Sequence, residues 1–427
     1  MLVLLRRVIA RPMLWWLVAT VFLVRDVVGN LLTAYRPDAA SVIQAGHRWL
    51  ADPSAIYAET AKHLALTGLV PVTGLIKPPG AAMLAAPFSL LPGSWEVPAW
   101  TVADALAAVV GLLIVQRYLT RMPLERAVFW AVALYCPPLY AEVNAGQIGG
   151  FVLLLACCGL VVVETRPALA GALAGAAASL KLYPALMVLG ARSRWRPFLV
   201  GAVVLGGLVT LIACIPLGPS GAWFYVTSVL LPSLRAPNPD CAQTSVATLF
   251  GRSIGGEPYP IIQPNDAIAT LQSPIHLAAL ATVLTVLTLA AVVVAAVAAA
   301  RASGWNAVYG MALGLALGAL LPGELNPYQY LPLLPLVLLV TVKAIRNGRW
   351  RQLSGIAVGL LLWLRQPCLL PFPNLWTIGA LILFGVCAAA ARDFAPRRSV
   401  GRQPDAPART VLGEPGSALE EIDEGGH

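Results

Sequence analysis

Hydrophobic runs separated by short polar segments recur along the chain from residue 12 to residue 391. Most of these runs reach about 20 residues, the length that a helix needs to cross the hydrocarbon core of a bilayer. They are rich in Ala, Leu, Val and Gly and lack the apolar-polar alternation of membrane barrel strands. The pattern therefore predicts an all-α fold, a polytopic transmembrane helix bundle.

About ten of the runs are predicted to be full spans, and two shorter segments are left over. The predicted spans begin near residues 12, 98, 126, 147, 197, 276, 305, 328, 353 and 375. The first leftover segment, Pro78 to Pro92, has proline at both ends, and Lys181-Leu-Tyr-Pro184 interrupts the second, Pro167 to Gly190. Such a backbone is tolerated at membrane depth where it faces protein or a wet cavity. We expect two short or re-entrant helices, with two ordinary spans as the alternative.

Composition and charge place the chain in a membrane and orient it there. The sequence is 58% hydrophobic and 11% charged, whereas soluble domains have about a quarter charged residues. The net charge of +9 comes from short basic clusters between apolar runs, which argues against a nucleic-acid partner. These clusters lie near residues 6–11, 117–126, 192–196, 301, 343–351 and 392–402. By the positive-inside rule they are cytoplasmic, as are both termini of this multi-pass plasma-membrane protein.

This topology gathers the polar segments on the non-cytoplasmic side. Two long loops, Thr33 to Lys77 and Gly218 to Pro274, are predicted to lie there. Residues 1–394 are expected to form the membrane domain. Residues 395–427, rich in proline, glycine and acidic residues, are expected to form a disordered cytoplasmic tail. Any chemistry is therefore expected at the outer face.

Cysteines and histidines do not suggest a metal or redox site. Five of the seven cysteines lie in or beside apolar runs and are expected to be inert. Cys241 and Cys368 fall in predicted outer loops, where a disulfide between them is an open possibility. The four histidines are dispersed, and the sequence has no HExxH motif, P-loop or dinucleotide fingerprint. No metal and no cofactor are predicted.

Asp38 is the first candidate for chemistry, because it is a carboxylate just after the first apolar run. An Asp at the membrane surface can act as a general base toward an acceptor hydroxyl. The alternative is that Asp38 caps the helix that follows it, since Asp between Pro and Ala-Ala-Ser is a reasonable N-cap. The sequence leaves both possibilities open.

Three cations are candidates for binding an anionic group. Lys77 precedes Pro78-Pro79-Gly80 and is a candidate for binding a phosphate. Lys181 has apolar neighbours on both sides, so it is a candidate partner for an anion, with snorkelling to an interface as the alternative. Arg252 follows Ser245 by seven residues. A guanidinium fork suits a phosphodiester, with an ordinary surface arginine as the alternative.

Amides and aromatic rings offer sugar-binding groups. Asn144-Ala-Gly-Gln147 forms a polar turn between two apolar runs, where the amides can bind sugar hydroxyls or satisfy helix ends. Tyr57 and other aromatic residues near the outer ends of the runs fit a membrane aromatic belt, although sugars also stack on such rings.

Taken in order, these short motifs resemble glycosyltransferase family 87. The family contains multi-spanning C-type transferases that take mannose or arabinofuranose from a polyprenyl-phosphate donor. The resemblance covers roughly residues 12 to 340, and the order and spacing of the motifs carry it. The motifs are Asp38, Ile56-Tyr57, Pro78-Pro79 with the Pro87 to Pro92 run, Gly146-Gln147, Lys181-Leu-Tyr-Pro184 and the stretch from Gln243-Thr-Ser245 to Arg252.

The resemblance implies a C-type (GT-C-like) fold and a role for each candidate. Asp38 would be the general base, and Lys181, Arg252 and Lys77 would bind the donor phosphate. The sugar site would be lined by Tyr57, Asn144 and Gln147. The implied partners are a polyprenyl-phosphate sugar, with mannose favoured, a glycolipid or cell-envelope glycan acceptor, and membrane lipid. A single displacement with one base would invert the anomeric centre.

Two positions depart from the family pattern, and other functions stay open. Lys77 stands where relatives usually have an aromatic residue, and Asn326-Pro-Tyr-Gln329 stands where many have a histidine. Both departures leave the donor sugar and the acceptor open, with an arabinofuranosyltransferase as one alternative. A transporter or lipid flippase is the rival class, although its charges are expected near the middle of several helices. A non-catalytic scaffold is the third possibility.

Overall fold

The chain folds mainly as apolar helices, as the hydrophobic pattern predicts. The computed structural model describes residues 11–32, 36–68, 75–233, 244–257, 259–262, 268–271, 275–321, 326–363 and 375–395. The predicted tail, Cys241 and Cys368 lie outside these described residues. The described elements fit a polytopic helical bundle, with one short β-hairpin in the second long loop.

The described residues of the first half of the chain form ten α-helices. They are α1 (Pro12–Leu32), α2 (Pro37–Ala51), α3 (Ala58–Thr67), α4 (Pro79–Ala85), α5 (Gly93–Leu119), α6 (Pro123–Tyr135), α7 (Pro137–Ala145), α8 (Gly149–Val162), α9 (Pro167–Leu180) and α10 (Trp195–Cys214). A 3₁₀ helix, Tyr183–Arg194, joins α9 to α10. Helix α10 contains one π-helical turn, Ala202–Gly206.

The second half begins with short elements and ends with longer apolar helices. The short elements are α11 (Gly218–Phe224), α12 (Val246–Phe250), β1 (Tyr259–Ile262) and β2 (Ile268–Leu271). The two strands pair antiparallel, with Tyr259 opposite Leu271. The remaining helices are α13 (Ala278–Ala302), α14 (Ala307–Leu320), α15 (Leu334–Arg346), α16 (Trp350–Leu361) and α17 (Leu375–Ala389). The 3₁₀ helix Pro327–Leu333 leads into α15.

Six helices in the described part of the chain are long and apolar enough to cross a membrane. Helices α8, α9 and α14 are apolar but only 14 residues each, which is shorter than a typical span. A described helix starts within a few residues of each predicted span. The structure therefore supports a polytopic bundle, while the count of about ten spans stays a prediction.

Both leftover segments form short helices, because proline and charge interrupt them. In the first, α4 ends at Ala85 and the 3₁₀ helix Phe88–Leu90 follows. In the second, α9 ends at Leu180, Lys181 is its C-cap, and the chain continues as the 3₁₀ helix before α10. The predicted break at Lys181-Leu-Tyr-Pro184 is thus a real change of helix type.

The first long loop is itself helical, and its helix α2 is amphipathic. Ala39, Val42 and Ile43 are buried on one side of α2, while Gln44 and His47 are exposed on the other. Apolar positions three and four residues apart form one face of a helix. The buried face of α2 packs against α4, so α2 is a fixed part of the bundle.

An ion pair between the buried Glu125 and the exposed Arg346 ties the start of α6 to the end of α15. Arg346 donates from Nε and Nη2 to the two Glu125 carboxylate oxygens, both at 2.9 Å, and Nη2 also donates to the Leu119 carbonyl oxygen. The Glu125 side chain is fully buried and also accepts the Arg121 backbone N–H. Planar two-point pairing of this kind fixes geometry as well as adding energy.

We expect Arg346→Met to lower the free energy of unfolding by about 2–3 kcal/mol, because it leaves the buried Glu125 carboxylate without its cation. Arg349, which pairs with Asp393 at 3.4 Å but is 60% exposed, is the matched control. Arg349→Met should cost about 0–1 kcal/mol. Unfolding of the purified protein in detergent measures both variants, and equal losses would contradict the role given to Glu125.

Candidate functional site

Asp38 lies in the first turn of α2, and Arg36 fixes that turn. Arg36 is the N-cap of α2, and no side chain caps the helix by a hydrogen bond. Its guanidinium donates to the Asn30 carbonyl oxygen at 2.7 Å and to the Val143 carbonyl oxygen at 3.1 Å. These bonds join the ends of α1 and α7 to the start of α2. Asp38 is therefore not the N-cap, and its partly buried carboxylate has no ion pair among the described residues.

Lys77 lies just before α4, at a close contact between α4 and the end of α9. The contact needs glycine at position 80, because a Cβ there would lie 2.5 Å from the Ser179 carbonyl oxygen. Lys77 precedes this contact by three residues, and Lys181 follows Ser179 by two. The close approach of the two helices thus brings two cations to one place.

The electrostatic surroundings of Lys77 connect it to the other charged candidates. Burial lowers the pKa of Lys77 from its usual 10.5, and the nearby Asp38 carboxylate opposes this shift. Lys181 lowers the same pKa further, while Glu142 raises it. Asp38, Lys77 and Lys181 therefore belong to a single charged cluster.

Lys181 is held by an anion and an aromatic ring. Its ammonium lies 3.5 Å from Glu142 Oε1, with the Lys side chain 11% and the Glu side chain 1% exposed. The same ammonium lies 5.7 Å from the centre of the Tyr328 ring. A cation near an aromatic face is attracted by the ring quadrupole. Lys181 is therefore buried and paired, and the snorkelling alternative does not describe it.

Glu142 binds the N-terminal end of α8 as well as Lys181. Its Oε1 accepts the Gly149 backbone N–H, one of the amides that a helix start leaves without an intrahelical partner. A Cβ at Gly149 would lie 2.4 Å from Glu142 Oε1, so a side chain there would displace the carboxylate from this position.

A second buried carboxylate, Asp104 from α5, satisfies the same helix start. Asp104 Oδ1 accepts the Phe151 backbone N–H at 3.2 Å. Within the described residues, Asp104 Oδ2, Glu142 Oε2 and the buried Gln147 Oε1 have no hydrogen-bond partner. Trp100 fixes the turn before α8 by donating from Nε1 to the Gly146 carbonyl oxygen at 2.9 Å. The predicted polar turn is thus tightly packed against buried acids.

Tyr57 braces the segment that carries Lys77. Its hydroxyl donates to the Lys77 carbonyl oxygen at 2.9 Å, and its side chain is 2% exposed. The Tyr225 ring packs against it with ring centres 4.7 Å apart, and the Tyr225 hydroxyl donates to the Ile76 carbonyl oxygen at 3.4 Å. The Tyr57 hydroxyl is thus used by the protein backbone, whereas the sequence suggested a sugar ligand.

Arg252 and Asn144 complete the set of predicted site residues. Arg252 is buried in a π-helical segment, Gly251–Gly255, which follows α12. The start of α12 is fixed by the Tyr330 hydroxyl, which donates to the Thr244 carbonyl oxygen. Tyr330 shares a 3₁₀ helix with Tyr328, the ring beside Lys181. Asn144 lies in the last turn of α7, two residues after Glu142.

An apolar groove lies next to the segments that carry Lys77 and Lys181. It has a volume of about 760 Å³ and lies between α9, α10 and the segment around Tyr225. Pro78, Pro79 and Ser179 line one part of it. In the sequence, Pro78 follows Lys77 directly, and Ser179 precedes Lys181 by two residues. Val203 and Leu211 also line it and are 69% and 62% exposed, so the groove opens on the apolar outer surface.

Comparison with known proteins assigns the family. The model of glycosyltransferase family 87 matches residues 76–322, more than half of the chain. The chain belongs to glycosyltransferase family 87. This confirms the predicted family, and the family name carries the predicted enzyme class. The matched region of this family 87 member contains Lys77, Glu142, Lys181 and Arg252.

A curated relative of this family 87 protein is known from Mycolicibacterium smegmatis. It is the polyprenol-phosphate-mannose-dependent alpha-(1-2)-phosphatidylinositol pentamannoside mannosyltransferase, 35% identical over 133 residues. The similar region covers 30% of this chain and 32% of the relative, so the chain spans about a third of the relative's length. No solved structure matches the chain.

Sequence reasoning identified neither Glu142 nor Asp104 as a site residue. The sequence predicted that Lys181 needs an anionic partner, but it did not identify the carboxylate. A usable signal was present, since Glu142 lies between apolar residues seven positions before the Gly149-Gly150 pair. Glycine at a helix start allows an acidic side chain to approach the backbone closely.

We expect Tyr57→Phe to lower the free energy of unfolding by about 1 kcal/mol, because the buried Lys77 carbonyl loses its hydrogen bond. Tyr118→Phe, at a tyrosine that is 43% exposed on α5, is the matched control and should have little effect. Thermal unfolding of the purified protein measures both. Unchanged stability of Tyr57→Phe together with weaker sugar-donor use would instead favour the sugar-binding role.

Proposed function

We propose that this family 87 protein is an integral-membrane glycosyltransferase that moves mannose from a polyprenyl-phosphate donor to a glycolipid or cell-envelope glycan. Support comes from the family and from the curated relative, whose name specifies a polyprenol-phosphate-mannose donor and a phosphatidylinositol mannoside. The relative covers a limited part of the chain, so the donor sugar and the acceptor are proposals for this protein.

One observation carries the proposal: Asp38, Lys77 and Lys181 share a single charged cluster. Transfer from a lipid phosphate needs a carboxylate for the acceptor and cations for the leaving group. Fixed charges aimed at developing charge are a strong source of catalysis in a water-poor site. The cluster supplies both kinds of group beside a long apolar groove.

In the proposed reaction, the Asp38 carboxylate accepts the proton of the attacking acceptor hydroxyl. The acceptor oxygen forms a bond to the anomeric carbon as the bond from that carbon to the phosphate oxygen breaks. The polyprenyl phosphate leaves with the electron pair, and Lys77 and Lys181 stabilise its charge. A single displacement of this kind inverts the anomeric centre.

The other predicted site residues keep their proposed roles around this centre. Arg252 is proposed as a further phosphate ligand, since a buried guanidinium suits a phosphodiester. Asn144 and Gln147 are proposed to contact sugar hydroxyls. Gln147 Oε1 has no hydrogen-bond partner within the described residues, which is compatible with this role. For Tyr57 the described contacts support bracing of Lys77 rather than sugar contact.

The apolar groove is proposed to hold the isoprenoid chain of the donor. Its described lining is almost entirely aliphatic and small side chains, with Thr210 and Ser179 among the few polar ones. Because the groove opens on the apolar surface of α10, a lipid donor can enter from the bilayer without crossing water. The groove then brings the phosphate to the end that carries Lys77 and Lys181.

The active site is proposed to lie on the non-cytoplasmic side, in a bundle of about ten spans with both termini in the cytoplasm. The support is the distribution of basic residues along the sequence. Four basic residues lie at the helix ends near the Glu125 ion pair: Arg121, Arg126, Lys343 and Arg346. The site residues Asp38 and Lys77 lie elsewhere, in the first long loop.

Asp38→Asn is expected to reduce mannose transfer by about 10²–10⁴-fold, because the amide cannot accept the acceptor proton. The measurement is transfer of radiolabelled mannose from polyprenyl-phosphate-mannose to lipid acceptors, in membranes with matched amounts of each protein. Asp52→Asn is the control, since Asp52 is an exposed carboxylate at the C-cap of the same helix.

Transfer by wild type and by Asp52→Asn but not by Asp38→Asn would support both the enzyme and its base. Equal transfer by all three proteins would remove Asp38 from the mechanism. Absence of transfer by the wild type would contradict the mannose proposal, and an arabinofuranosyl donor would then be tested in the same membranes.

Ala178→Phe is expected to weaken use of a long-chain donor, because Ala178 lines the groove and a phenyl ring narrows it at that position. The expected result is an increase of about tenfold in the donor KM, with a much smaller change for a donor with two isoprene units. The ratio between the two donors is the readout, so a general loss of folded protein does not affect it.

Ala168→Phe is the matched control for the groove. Ala168 lies on the same helix, is exposed and is absent from the groove lining. This variant should leave the ratio between long and short donors unchanged. If Ala178→Phe also leaves the ratio unchanged, the isoprenoid chain binds elsewhere.

A further inference from the structure

Glu142 is a buried charged side chain that the proposed reaction does not use. It lies on α7, its carboxylate is 1% exposed, and it belongs to none of the groups assigned to the base, the phosphate or the sugar. Burial of a carboxylate is costly unless a cation and hydrogen bonds compensate it. The described contacts of Glu142 are therefore informative about what it does.

Two partners hold the same Glu142 oxygen in place. Oε1 accepts the Gly149 backbone N–H at the start of α8 and lies 3.5 Å from the Lys181 ammonium. Both partners are positive, since a helix start carries a partial positive charge. Glycine at position 149 leaves the space that the carboxylate occupies, since a Cβ there would lie 2.4 Å from Glu142 Oε1. Glu142 is thus held at one oxygen by two partners.

The Lys181 side chain depends on the Glu142 carboxylate for its position, because the Lys181 backbone lies at a helix end. The residue is the C-cap of α9, where regular helix gives way to a 3₁₀ segment. A lysine side chain has many rotamers, and fixing it requires specific contacts. The described contacts of the ammonium are the Glu142 carboxylate and the Tyr328 ring.

We propose that Glu142 is a positioning residue, which holds the Lys181 ammonium where the phosphate of the leaving polyprenyl chain develops charge. The proposal rests on the proposed function, because it assumes that Lys181 meets that phosphate. It assigns Glu142 no contact with substrate. Its effect on the reaction passes through Lys181.

The proposal predicts a distinctive kinetic effect. Glu142→Gln keeps an oxygen for the Gly149 N–H and keeps the cation, but it removes the charge that fixes the ammonium. It also removes an anion that repels the phosphate, so the donor KM should not rise. The kcat should fall about tenfold, because the ammonium no longer stays where the leaving group needs it.

The deciding experiment is a double-mutant cycle on mannose transfer with Glu142→Gln, Lys181→Met and the double variant. If Glu142 acts through Lys181, the tenfold effect of Glu142→Gln should shrink to less than about twofold in the Lys181→Met background. An equal loss in both backgrounds would mean that Glu142 only caps α8 and would overturn the proposal. Wild-type activity in Glu142→Gln would overturn it as well.

Asp104→Asn is the matched control for the helix cap. Asp104 is buried and binds the Phe151 N–H at the same helix start. The described ion pairs of Lys181 do not include Asp104. Lys181 acts on Asp104 only at longer range than on Glu142. The fold-losses of Asp104→Asn with Lys181 present and with Lys181 replaced should therefore differ much less than those of Glu142→Gln. A cycle for Asp104 that resembles the Glu142 cycle would overturn the specific role of Glu142.

Two further arms keep the test decisive. If Glu142→Gln alone does not accumulate, the activity of Lys181→Met is compared with that of the double variant. The double variant lacks both charges of the pair, so neither charge is left buried without its partner. Equal activities support the proposal, and a lower activity of the double variant overturns it. Failure of the wild type to transfer mannose is seen before any variant is compared. That result rejects the proposed function and this inference together, whereas the other negative outcomes reject only the role of Glu142.

Discussion

The start of α8 is the constraint on which the site depends. A helix that begins inside the bundle exposes backbone N–H groups that water cannot reach, and each needs an acceptor. Glu142 and Asp104 provide these acceptors at Gly149 and Phe151. The Glu142 carboxylate in turn requires a cation, and Lys181 provides it. The break between α7 and α8 and the buried charged cluster are therefore two consequences of the same requirement.

This requirement also explains how the other site residues come together. Lys181 ends α9, and the close contact of α9 with Gly80 brings α4 and Lys77 beside it. Tyr57 and Tyr225 hydrogen-bond the backbone of the segment that carries Lys77. Arg36 bonds the backbone next to Glu142 and thereby fixes the turn that carries Asp38. Contacts to backbone atoms, rather than contacts between the functional side chains, define the geometry.

The sequence predicted the helices and the break at Lys181 because both depend on local pattern. It also predicted that Lys181 needs an anion, since a lysine among apolar residues is costly in lipid. It did not identify Glu142, which lies 39 positions earlier, because pairing between separate helices leaves no periodic signal. Nor could it show that the Tyr57 hydroxyl is used by a backbone carbonyl. The span count was also uncertain, because α6 and α7 are separate short helices on either side of Cys136.

In the proposed function, the groove holds the aliphatic part of a lipid phosphate and the charged cluster holds its charged end. The aliphatic part of such a molecule gains little by leaving the bilayer, so its groove only needs to be apolar and open to lipid. The phosphate must leave the membrane interface for a buried site, and this costs free energy unless fixed cations replace its hydration. Lys181 can do so without reorganising, because Glu142 already fixes its ammonium, and the Asp38 carboxylate acts on Lys77 at longer range. These carboxylates also weaken the attraction of the site for the phosphate. A site of this kind therefore favours turnover over tight binding of the polyprenyl-phosphate product, which must leave before the next donor enters.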